Sequence, residues 1–136
     1  MVALPSYTDY RIRTKIIEDF ATINQIKLSV SEYYGINGVL PTDNAHVGLD
    51  KPKQVKGVRL KKVRVTSSPV PGTIKVWYDN VYELPVLEKK NRINFVPSVV
   101  NGRIFWDCNG GNLLDKYRPP VCRGNVVYLD SDEDDD

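Results

Sequence analysis

Few residues in this chain could do chemistry, and most sit near its C-terminus. Cys108 and Cys122 are the only cysteines and His46 is the only histidine. Zinc needs four ligands, usually thiolates and imidazoles, and that set is missing. A cysteine nucleophile needs a base, and one histidine far off in sequence is thin support. A disulfide fits better. The cysteines fence off "NGGNLLDKYRPPV", a stretch of turn-formers with no long regular structure of its own. Closing such a loop contributes about 3 kcal/mol by restricting the unfolded chain. Disulfides persist outside the reducing cytosol, so a periplasmic or extracellular protein is expected. The alternative is a pair of free thiols in a cytosolic protein.

Two charge runs come next. "KPKQVKGVRLKKVR", residues 51–64, holds basic residues and no acid. Lys53, Lys56, Arg59, Lys61, Lys62 and Arg64 form a candidate anion or DNA track, since such side chains displace counterions from nucleic acid. The run has no aromatic to stack a base. A strand edge guarded by lysines explains it more simply. "DSDEDDD", residues 130–136, carries six of the 17 acids. Without it, 11 acids face 19 Lys and Arg, a balance of +8. Its alternate carboxylates faintly suggest a calcium loop, but the central glycine and the distal glutamate are absent. A flexible solvating tail is expected. With no phosphate loop, metal cluster or nucleophile-elbow motif, neither enzymatic activity nor a cofactor is expected.

The elements that position these residues follow from periodicity. Residues 1–35 read as one helix, with a stripe of Ile12, Ile16, Phe20, Ile23, Ile26 and Val30 widened by Ile17, Ala21 and Leu28. Gly35 and the Asn37-Gly38 pair stop it. Leu4, Tyr7 and Tyr10, followed by Ile12 and Ile16, begin the helix. Its first three turns have little of the domain to cover them, which marks a contact surface. Residues 36–57 are a connecting loop, and a loop this long suggests a surface feature with a role. Residues 58–107 alternate as three or four antiparallel strands. A slip at Lys61-Lys62 predicts a bulge or a strand buried on both faces at one end, Asn101-Gly102 predicts a tight hairpin, and Pro97 predicts an edge or bulge. Trp77 and Trp106 are expected in the core. The fold class is α+β: a long N-terminal helix on a small antiparallel sheet, with residues 108–122 closing the domain 1–129. In that closing loop Lys116, Tyr117 and Arg118 are candidates for surface recognition. No apolar run is long enough to span a bilayer, and no signal peptide is evident.

The order of these elements resembles the type IVa pilins, the subunits of bacterial type IV pili. "ALPSYTDYRIRTKI" resembles the segment that follows the pilin transmembrane stretch, and "LSVSEYYGINGVLP" the end of the pilin helix. "TDNAHVGL" resembles the next loop, "INFVPSVVNGRIFWDC" the third and fourth strands, and "DKYRPPVCR" the end of the disulfide-bounded D-region. The family's N-terminal phenylalanine, nearby glutamate and apolar first half-helix are not seen, so Met1-Val2 reads as an added start to a shortened soluble form. "GNVVYLDSDEDDD" extends past the usual end. The resemblance implies a structural fibre subunit that serves adhesion, twitching motility and biofilm formation. A minor pilin binding DNA for uptake is the alternative. The implied partners are other pilin subunits, the pilus assembly machinery, host or abiotic surfaces, and DNA. The implied location is the extracellular pilus of a Gram-negative bacterium. Before assembly the missing segment would hold the subunit in the inner membrane, with its head in the periplasm.

Overall fold

A computed structural model describes residues 7–49, 51, 60–79 and 90–124. Leu4, Lys53, Lys56, Arg59 and the acidic tail lie outside these. The helix occurs in two pieces, α1 (Tyr7–Glu18) and α2 (Phe20–Asn37), interrupted at Asp19. Neither proline nor glycine stands there. Instead the Asp19 side chain is buried, and its N–H donates to Ile16 C=O at 3.2 Å, a tighter turn than an α-helix makes. The helix also runs past Gly35. It ends where Gly38 takes a left-handed conformation, φ 75°, and donates its N–H to Tyr34 C=O. That backbone geometry, not glycine content, sets the stop.

Four strands, β1 (Leu60–Thr66), β2 (Thr73–Tyr78), β3 (Arg92–Val100) and β4 (Arg103–Gly110), form an antiparallel sheet in that order. Alternation explains the register. Val63 pairs with Val76 and Val76 with Ile93, while Val65 pairs with Ile74 and Ile74 with Phe95. These two apolar rows face the helix stripe of Ile12, Ile16, Ile23, Ile26 and Val30, all buried in one core. Each such side chain stabilises the fold by about 1.5–3 kcal/mol. Phe20 meets Phe95 edge to face at 5.6 Å. The stripe is narrower than its sequence suggests, since Ile17 and Leu28 are exposed.

Local signals match their structures. A register shift falls between Leu60 and Lys62. Asn101 (φ 52°) and Gly102 (φ 79°) join β3 to β4 as the tight hairpin requires. Pairing of β2 with β3 stops at Phe95, so Pro97 lies where β3 has no β2 neighbour. Among its described residues the loop before β1 makes a short 3₁₀ turn, Ala45–Val47. Its Asn44 reaches the free edge of β1: Nδ2 donates to Val63 C=O at 2.9 Å, and Val65 N–H donates to Oδ1 at 2.6 Å. One side-chain amide thus takes the place of a neighbouring strand, which answers the edge problem.

Candidate functional site

The C-terminal loop is built from the end of β4 outward. Cys108 and Cys122 form a disulfide, with Cα atoms 4.8 Å apart. Gly111 turns the chain back against β3 at φ 91°, so close to the Arg92 carbonyl that a Cβ would collide with it. Leu113 N–H then donates to Arg92 C=O, and Arg92 N–H donates to the Asn112 side chain. Two 3₁₀ turns, Asp115–Tyr117 and Pro120–Cys122, complete the loop.

Arg118 holds it together. Its guanidinium is 2% exposed. Nε donates to Leu113 C=O at 2.8 Å and Nη1 to Cys108 C=O at 2.9 Å. Burial lowers its pKa, opposed by the charges of Asp115 and Asp107. A planar fork suits this role, because it satisfies carbonyls that no regular structure reaches. Tyr117 is equally buried and joins the helix-side core. Burial pushes its phenol pKa up, and the Asp9 carboxylate adds to the rise. Tyr78, deep in the core, is shifted the same way by burial, then by Asp19, with Arg118 opposing.

The loop is also tied to α1. Arg13 Nη1 donates to Lys116 C=O at 2.6 Å, and Lys116 Nζ lies 3.6 Å from Asp9 Oδ2. This lid over α1 corrects two expectations. Ile12 and Ile16 are 1% and 3% exposed, buried within the domain and not left uncovered. Tyr117 and Arg118 are structural anchors, leaving Lys116 as the exposed member of the three candidates for recognition. The sequence gives no local sign of this, because Arg13 and Lys116 are far apart along the chain.

Tyr7 and Tyr10 do stand out from α1, 74% and 55% exposed, each with an arginine near its ring: Arg11 by Tyr7 and Arg13 by Tyr10, both at 5.9 Å. The described members of the basic track do not form one surface. Lys61 is exposed, Arg64 is half-buried, and Lys62 is buried with its ammonium 4.2 Å from the Trp77 ring centre. The bulge before Lys62 turns it into the Trp77 row of the sheet. His46 stacks on Tyr33 at 5.0 Å, and its Nδ1 accepts the Thr42 N–H. Its ring braces the loop. A recess beside Asn44 is lined by Thr42, Asp43, Leu49, Lys51 and Arg64. Among the described residues no three His, Cys, Asp or Glu side chains group as metal ligands, and no helix is long and apolar enough to cross a membrane.

A helix laid on a four-stranded antiparallel meander, with a disulfide closing the C-terminal loop, is the architecture of a pilin head. Residues 12–123 match the family described as Pilin (bacterial filament). The chain is 26% identical to a type IV major pilin protein, PilE, of Neisseria gonorrhoeae, over 91% of this chain and 83% of that one. It is 31% identical to the fimbrial protein EcpC of Eikenella corrodens, over 90% of this chain and 77% of that one. The chain belongs to the pilin family and is a structural subunit of an extracellular pilus fibre, assembled with other pilin subunits.

Proposed function

We propose that this chain is the repeating subunit of a type IV pilus of a Gram-negative bacterium, packing against copies of itself through its N-terminal helix. The observation that carries this reading is the contrast along α1. Its inward side is fully used by the domain's own core, while Tyr7 and Tyr10 point away from it. Large aromatic side chains left exposed beside arginines suit a protein contact. The fibre then serves adhesion, twitching motility and biofilm formation. The assembly machinery handles the subunit, and an inner-membrane stage with the head in the periplasm precedes polymerisation. No enzymatic role is proposed.

The DNA-uptake alternative needs an exposed cationic track. Of its described members only Lys61 is well exposed, which favours the fibre reading. The test is to shear fibres from cells that express the chain and identify their protein by mass spectrometry. The chain is expected as the most abundant fibre component. Purified fibres that lack it would overturn the proposal.

A further inference from the structure

One end of the domain is built from uncharged chain. No Asp, Glu, Lys or Arg occurs in residues 33–42, 66–74 or 96–102, in a chain with 26% of them. The fold brings these three stretches together. Gly72 donates its N–H to Pro41 C=O, and a Cβ on it would stand 3.1 Å from the Pro97 ring and 3.2 Å from Leu40. The end of α2, the β1–β2 turn and the β3–β4 turn therefore share one end of the helix and sheet layers. Apolar side chains stand out there. Ile36 and Val39 are 84% and 60% exposed, and Val70, Val99 and Val100 between 36% and 51%. Pairing of β2 with β3 stops at Phe95, so the hairpin carries Val99 and Val100 beyond β2 as an arm. Arg103, the partner of Val100 in the ladder, is the first charge past the turn.

An uncharged apolar end gives an ion or a polyanion nothing to hold. It has instead the character of the centre of a protein interface, where charged residues are scarce. A fibre supplies the partner. Copies that add head to tail need two different patches, because a patch that pairs with itself closes a dimer. The far end of this domain carries the second patch. β3, nine residues long, starts about 26 Å from Val100. The disulfide-bounded loop is fastened to that start, where Leu113 N–H donates to Arg92 C=O. On the loop Val121 follows two prolines and is 79% exposed, and the Asp115 carboxylate, beside Arg118, is 57% exposed. Val121 offers an apolar contact, and Asp115 a charge opposite to that of Arg103. We propose that, in the fibre of the reading above, the charge-free end of one head seats on residues 115–121 of the next copy, so that heads stack along the fibre while α1 holds its base. The contact rests on that fibre reading and adds to it a named pair of surfaces.

The test places a photo-cross-linking residue on the exposed arm, Val100→p-benzoylphenylalanine, in a minority of subunits beside the parental chain. Sheared fibres are irradiated and the links located by peptide mass spectrometry. A ladder of covalent multimers is expected, linked to residues 115–121 of a neighbouring copy. Links to residues 33–42, 66–74 or 96–102 of the neighbour would mean that like ends meet, and would overturn the proposal. So would links to α1 or to another protein, or fibres that contain the variant and give no ladder. Fibres without even the parental chain would overturn the fibre reading itself, and this contact with it. A Val39→Asp, Val100→Asp variant gives a second readout. Its melting temperature is expected to match the parent while fibre yield falls roughly fivefold or more. Parental yield of fibres that carry this variant would also count against the contact.

Discussion

Between the end of β4 at Gly110 and Cys122 the regular structure is two short 3₁₀ turns, yet Leu113, Tyr117 and Arg118 are nearly inaccessible. From the Val96–Asp107 pair to its tip the β3–β4 hairpin is regular, yet that tip leaves Val100 and Phe105 about half exposed, with Arg103 over the Phe105 ring. Regularity and structural importance have come apart. A hairpin satisfies its backbone by its own ladder, so its side chains remain available for contacts. An irregular loop has no ladder, so its side chains are spent on its own carbonyls. The loop that composition marks for recognition is therefore largely committed to holding the domain together.

That contrast can be broken in four places. Arg118→Met keeps the aliphatic bulk but leaves the Leu113 and Cys108 carbonyls without their donor. It should cost about 4 kcal/mol in urea unfolding, and Arg118→Lys should recover little, since an ammonium cannot fork to both. Replacing Cys108 and Cys122 together by alanine should cost about 3 kcal/mol, a smaller loss because the carbonyl cage remains. At the opposite edge of the sheet, Asn44→Ala removes both bonds to β1 and should cost about 2 kcal/mol. Phe105→Ser at the hairpin tip should stay within about 0.5 kcal/mol of the parent. A larger cost for Phe105→Ser than for Arg118→Met would reverse the comparison.

What could be read from the sequence was what is local. The Asn101-Gly102 turn, the Lys61-Lys62 bulge and the apolar rows of β1, β2 and β3 depend on neighbours in the chain or on a period of two. The disulfide was legible because only two cysteines exist. The fate of Tyr117 and Arg118 was not. It is set by Asp9 and Arg13 at the other end of the chain and by carbonyls that composition does not place. The burial of Ile12 failed for the same reason, since the lid that covers it arrives more than a hundred residues later. The break at Asp19 was hidden because a buried aspartate, unlike proline, leaves no mark in a helical pattern.

The central claim is that the outward side of α1 builds the fibre while the disulfide-bounded loop builds the head. A Tyr7→Ser, Tyr10→Ser double variant tests it most directly, by the amount of fibre sheared from cells alongside the melting temperature of the purified chain. Fibre yield is expected to fall roughly tenfold or more with melting unchanged. Fibres at the parental level, with the variant incorporated, would contradict the account.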